Sequence, residues 1–256
     1  MHFTVKYSRN FARVYEAYDG MHHSSSADFA QILDKPDDRK LEEAFKLIHQ
    51  KESIMLGFLD SGAEPSPDQR RILELIPPLR EDYWKRILGL FEEWAPRLEK
   101  ELNRIGPNCD IELERLLGIR PPKEYTLAIV HNFARPKSLP GQQFSNEPFF
   151  CLMITENRAF EEHMGVAIHE LVHHLLRIHG WNRKFKSENM EEAFIKLLTP
   201  RGILTERIGI QKSDINKMKE ERCDKEIDLL RPYFQEYLSS NTGETIFHFL
   251  ERKKVL

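Results

Sequence analysis

Three observations predict an α+β fold, predominantly helical, with a small sheet packed on one buried helix. Apolar residues recur at three- and four-residue spacing through most of the first 120 residues, the period of an amphipathic helix. Two short runs, Tyr125–Phe133 and Phe149–Thr155, are rich in apolar and β-branched residues and flank a Pro- and Gly-containing stretch, which is strand chemistry. From Asn157 to Gly180 the chain carries Ala167, Ile168, Leu171, Val172, Leu175, Leu176 and Ile178, apolar around so much of a helix that it belongs in a core.

In chain order, Phe3–Tyr7 alternates apolar and polar residues and predicts a short edge strand. Asp37 and Asp38 precede Leu41, Ala44, Phe45, Leu47 and Ile48, so an Asp-capped helix is expected from Asp37 to about Leu59. The loop Ser61–Pro67 separates it from a helix over Asp68–Ile76, which Pro77-Pro78 ends. A long helix then presents Trp84, Ile87, Leu88, Leu90, Phe91, Trp94 and Leu98 on one packed face, kinks at Pro96 and closes near Gly106. The two strands follow Pro121-Pro122, joined by the loop Ala134–Pro148. Gly180 is a natural helix stop, and further helices are expected near Asn189–Leu198, Ser213–Leu230, Pro232–Leu238 and Glu244–Arg252. A mostly helical region, 1–120, is thus expected to be continuous with a second region, 121–256.

Lys+Arg 38 against Asp+Glu 41 gives a net charge of -3, whereas a nucleic-acid-binding chain needs a basic excess to neutralise phosphates. No nucleic-acid partner is expected. No apolar run approaches the ~20 residues of a membrane span, and the opening MHFTVKYSRNFARVYEAYDG lacks the basic start, apolar core and cleavage site of a secretory signal. The expectation is a cytoplasmic protein with no membrane role. Cys109, Cys151 and Cys223 are few and far apart, so neither a disulfide framework nor a Cys-based zinc knuckle is expected.

Inside the apolar helix stands His169-Glu170-Leu171-Val172-His173, the HExxH pattern. Residues four apart on a helix lie one turn up and about 40° round, so both imidazoles project toward one point. Two imidazoles and a carboxylate among Ile168, Leu171, Val172 and Leu175 are costly unless something satisfies them, and a metal does so. Neutral imidazole is a preferred zinc ligand, and a catalytic zinc takes three protein ligands and one water. One Zn2+ per chain is therefore expected on His169, His173 and a third His, Asp or Glu, with Glu170 as general base. Eighteen residues after His173 comes Glu192, in Asn189-Met190-Glu191-Glu192-Ala193-Phe194; Asn189 with Glu192 also has the form of a capping box.

HExxH, eighteen residues and a Glu resembles the gluzincin zinc metallopeptidases, especially their aminopeptidase branch, where that Glu is followed by Gly and Phe and this chain has Ala193 and Phe194. The resemblance covers roughly Phe149–Leu198. It implies a zincin-like region over 121–256, Glu192 as third ligand with Glu191 as the alternative, and hydrolysis of a peptide bond in a peptide or protein substrate. It also implies an oxyanion-stabilising Tyr or His downstream, for which Tyr233, Tyr237 and His248 are candidates, and a cleft-edge strand at Phe149–Thr155 that pairs with substrate backbone. The continuous apolarity of that strand points instead to an internal, fully paired position. No aminopeptidase-type Gly-rich motif occurs near Leu139–Phe150. HELVHHLL and the later LLTP (Leu197–Pro200) are similar to short cytoplasmic zincins of the regulator type, in which the carboxylate ligand falls near Glu188 or Asn189.

The alternatives are a noncatalytic, zinc-containing partner-binding protein and a regulatory protease with a single protein substrate. His174 and His179, five and ten residues from His169, point away from the metal face and suit capping or surface roles. His22-His23 reads as a loop pair before Ser24–Ser26, and His131 as a hydrogen-bonded residue at the edge of the core. Nothing in the sequence marks an oligomeric state.

Overall fold

The structure, a computed structural model, describes residues 1–23, 29–60, 62–131, 133, 141–143, 147–218, 222–240 and 243–256. The fold is α+β and predominantly helical. Strands β1 (His2–Lys6), β2 (Glu124–His131), β3 (Gly141–Gln143) and β4 (Phe149–Ile154) form one sheet in the order β1-β2-β4-β3. β2 and β4 run parallel, with Thr126 opposite Phe149, and β3 is antiparallel to β4. β1 takes the edge, as its alternation predicts. Every residue of β4 is buried and β2 and β3 occupy both its sides, so of the two readings of Phe149–Thr155 the interior strand holds, as its unbroken apolarity favours, and not the cleft edge that the resemblance implies.

The chain divides into two compact units, each discontinuous in sequence. One comprises Met1–Phe3, Glu101–Tyr125 and Ala159–Leu256, the other Thr4–Lys100 and Thr126–Arg158.

In the second of these, α1 (Arg9–His23) packs on α2 (Asp38–Gln50) and α3 (Pro67–Leu75). Asp37 caps α2, its Oδ1 accepting from the backbone of Arg39 and Lys40 at 3.0 and 3.2 Å. The regular helix stops at Gln50, short of the expected Leu59, and a 3-10 helix covers Glu52–Phe58; Ile54, Met55, Phe58 and Leu59 are all buried, a spacing that either helix type satisfies. α1 had no sequence signature because it is buried nearly all round, with Phe11, Tyr15 and Tyr18 beside the buried Glu16 and Asp19, which erases the amphipathic period. The backbone of His22 and His23 closes α1 instead of lying in a loop; Ser24–Ser26 lie outside the described residues, as does most of the loop Ala134–Pro148.

α4 (Glu81–Leu117) runs through Pro96 and past Gly106 and Pro107, eleven residues beyond its expected end. Ile105, Cys109, Leu113 and Leu116 continue its apolar stripe and are at most 1 % exposed. At about 1.5–3 kcal/mol for each large side chain buried, that stripe outweighs the roughly 3 kcal/mol penalty of one proline. Gly106 is a packing residue: a Cβ there would stand 2.5 Å from the Met1 carbonyl oxygen.

The first unit also contains α5 (Phe160–Ile178), a 3-10 turn (Trp181–Lys184), α6 (Glu188–Leu198), α7 (Ile203–Arg207), α8 (Asp224–Ser239) and α9 (Ile246–Arg252). Gly180, at φ 68°, follows the end of α5. α6 packs on α5, α7 and α8, and its Phe194 meets Phe185, Phe234 and Phe247. The two expected helices Ser213–Leu230 and Pro232–Leu238 are corrected to the single α8, which contains Pro232. Residues 213–218 stay non-helical, the Arg231 guanidinium donating to the carbonyls of Ile215 and Met218 at 2.8 and 2.6 Å. The N-cap of α6 is Ser187, whose hydroxyl accepts from Met190 N–H at 3.1 Å, not Asn189. Cys109, Cys151 and Cys223 are buried and outside any disulfide. Among the described residues no helix is long and apolar enough to cross a membrane.

Candidate metal centre

α5 is buried along almost its whole length, and His169 and Glu170 are 7 and 8 % exposed. The one-turn spacing of the motif brings the His169 and His173 rings to 4.8 Å between centroids. α6, entered through the Ser187 cap, brings Glu192 against both. Glu192 Oε2 lies 3.0 Å from His173 Nε2, and Oε1 lies 3.6 Å from His169 Nε2. One donor atom from each of His169, His173 and Glu192 falls within 4.8 Å of the others, a cluster compatible with a metal ion.

The donor set fits zinc. With bonds of about 2.0–2.2 Å, two ligand atoms of a tetrahedral site sit roughly 3.3–3.6 Å apart, against the 3.0 and 3.6 Å found here. The two distances are to different oxygens of Glu192, and with one atom from each residue the spread is up to 4.8 Å, so ligation would draw the three side chains closer together. Among the described residues no fourth His, Cys, Asp or Glu donor joins the cluster.

Two outer contacts orient the imidazoles. Thr199 Oγ1 donates to the Ile195 carbonyl at 3.1 Å and lies 3.2 Å from His169 Nδ1, so toward the ring it accepts and fixes the proton on Nδ1. Glu191 Oε1 lies 3.1 Å from His173 Nδ1 and does the same there. Both Nε2 atoms are thereby directed at Glu192, the pattern by which outer partners set ligand tautomers. Glu191 and Glu192 therefore have different places: Glu192 faces the point where both rings converge, and Glu191 holds the far nitrogen of one ring.

Electrostatics follow this geometry. Burial alone would lower the pKa of His173, but hydrogen bonds to Glu191 and Glu192 overcome it and lift it to about 9. Burial lowers that of His169 despite its contact with Glu192. Burial would raise the Glu192 carboxyl, yet its bonds to both histidines hold it far below the usual carboxylate range. Lys196 Nζ, one turn on along α6, adds a cation 3.7 Å from Glu192 Oε1.

Gly165 governs how closely the Thr199 segment approaches. A Cβ on it would stand 2.8 Å from Pro200 Cβ and 2.9 Å from the Pro200 carbonyl oxygen. Thr199 was not singled out in the sequence, because only its place in LLTP drew notice and its partner is thirty residues away.

Other expected residues are not brought to the triad. The Tyr237 hydroxyl donates to the Glu244 carbonyl at 3.1 Å, His248 is exposed near Trp181, and among the described residues none of Tyr233, Tyr237 and His248 bonds to the triad. Glu188 is 91 % exposed and pairs with Arg222 at 3.7 Å, so it stands outside the His169–His173–Glu192 cluster. His179 caps the end of α5 as expected. His174 is corrected from a capping or surface role to a fully buried one, edge-on to Tyr125, because the apolar circumference of α5 leaves no solvent face there. Comparison with protein-family models, with curated proteins and with solved structures returns no match.

Proposed function

We propose that this chain is a cytoplasmic zinc metallopeptidase of the gluzincin type, hydrolysing an amide bond in a peptide or protein substrate. The observation that carries the reading is the convergence of His169 Nε2, His173 Nε2 and a Glu192 oxygen on one point, beside a glutamate, Glu170, that a purely structural site does not need. A zinc ion held by His169, His173 and Glu192 would supply Lewis acidity there. The chain's own residues do the rest. Glu192 and the two Nε2 atoms bind the cation, and the Thr199 hydroxyl and Glu191 carboxylate keep the Nδ1 protons in place. The Glu170 carboxylate takes a proton from water and passes it to the leaving amine. A three-donor cluster, with no fourth side chain closing it among the described residues, suits a catalytic site better than a structural one.

Elemental analysis of the purified protein beside His169→Ala and Glu170→Gln variants tests the reading. About one zinc per chain is expected in the wild type and in Glu170→Gln, and none in His169→Ala. Against a peptide-library substrate Glu170→Gln should be slower by roughly 10²–10⁴-fold; hydrolysis at the wild-type rate would sink the mechanism. Zinc without activity on generic peptides would favour a regulatory protease with one protein substrate or a noncatalytic protein.

A further inference from the structure

The unit formed by Thr4–Lys100 and Thr126–Arg158 contains a polar chain that the metal chemistry does not use. The Tyr83 hydroxyl donates to Glu16 Oε1 at 2.9 Å and lies 3.1 Å from His131 Nδ1, while His131 Nε2 faces Glu156 at 3.9 Å. Glu16 and Tyr83 are 2 and 5 % exposed, so this chain locks the Tyr83 hydroxyl inward and fixes the plane of its ring. Phe133 meets that ring edge-on at 6.2 Å, and the Arg86 guanidinium stands 5.3 Å from its centroid. Tyr83, Arg86 and Phe133, with Gln31, Ile32 and Asp82, line a cavity of about 300 Å³, at the small end of the range for small-molecule sites.

Two charged side chains, Asp82 and Arg86, line this cavity. Asp82 is matched by Arg80, each of its oxygens 3.2 Å from that guanidinium. Burial disfavours charge on the polar chain, raising the Glu16 carboxyl well above its usual range and lowering His131 to about 4. Arg86 makes no ion pair among the described residues. Arg86 is exposed, and a guanidinium that stands over an aromatic ring with no ion pair among the described residues is a planar fork suited to a carboxylate or phosphate.

We infer that this cavity binds a small organic anion with a planar apolar body, its carboxylate or phosphate on Arg86 and its body against Tyr83 and Phe133. The site stands independently of the zinc reading. Binding of benzoate, phenyl phosphate and the neutral benzamide, measured by calorimetric titration of the full chain, tests it. Saturable binding of one or both anions is expected, at least 10-fold tighter than benzamide, weakened at least 10-fold by Arg86→Gln and unchanged in His169→Ala. Whichever anion binds tighter tells a carboxylate ligand from a phosphate ester. No saturable binding of either anion, equal binding of benzamide, or indifference to Arg86→Gln would overturn the inference. Loss of binding in His169→Ala would overturn it too, by assigning the anion to the metal centre. Arg86→Lys, which keeps the charge but not the fork, should recover part of the affinity.

Discussion

Thr199 and His169 form an outer latch on the metal centre: the Thr199 hydroxyl gives its proton to Ile195 and accepts from His169 Nδ1 at 3.2 Å. Thr199→Val keeps the shape of the side chain and removes the acceptor, leaving a buried N–H unmatched. Outer partners of this kind typically alter metal affinity by about 10–100-fold. Zinc affinity, measured by chelator competition, should fall by about that factor while the circular-dichroism spectrum is kept.

The two adjacent glutamates should separate by the size of their effects. Glu192→Gln removes the carboxylate facing both Nε2 atoms, and stoichiometric zinc should be lost. Glu191→Gln retains an oxygen to accept from His173 Nδ1 and should keep one zinc per chain, bound about 10-fold more weakly. Metal content after dialysis against a weak chelator reads both. The reverse ranking would make Glu191 the ligand.

Gly165→Ala offers a test by sign. In an open helix this change stabilises by about 1 kcal/mol. Here the new methyl would meet Pro200 at 2.8 Å, and overpacking of this kind typically costs about 1–3 kcal/mol. The variant should unfold at lower urea concentration than the wild type, and displacement of the Thr199–Pro200 segment should also weaken zinc binding.

His131 links the second unit's stability to pH. Burial lowers its pKa to about 4, with Arg86 adding to the effect and Glu156 opposing it. The unfolded value is 6.5, so the folded protein binds fewer protons between the two. Its contribution is therefore fully present above about pH 6.5 and is lost as pH falls through 4. Glu16, raised by burial against the opposing Tyr83 bond, has the opposite sign: its contribution is present below the usual carboxylate range and is lost as pH rises through its folded value. Urea denaturation from pH 7 to 4 should show His131→Gln losing less stability than the wild type, by on the order of 3 kcal/mol at most. Equal slopes would mean that His131 does not titrate abnormally.

The elements readable from the sequence were those whose evidence is local. HExxH on an apolar helix, the strands β2 and β4 and the Asp37 cap are set by spacing and residue chemistry within a few positions. What was misread depends on distant partners. α4 passes Gly106 because Ile105, Cys109, Leu113 and Leu116 are buried by the rest of the fold, and α8 starts late because Arg231 reaches back to Ile215 and Met218. Neighbouring residues on a helix point about 100° apart, so whether Glu191 or Glu192 faces the histidines is decided by how α6 packs on α5, which no pattern in either segment states. The chain Glu16–Tyr83–His131 joins three separate elements and has no sequence signature at all.

His169, His173, Glu191, Glu192 and Thr199 all fall within one stretch whose ends are thirty residues apart. Closing so short a loop in a disordered chain costs little entropy, since the penalty grows only with the logarithm of length. A cation that prefers this triad therefore also has measurable affinity for the unfolded polypeptide. Binding of such a cation would then raise the melting temperature by less than native-state affinity alone would give.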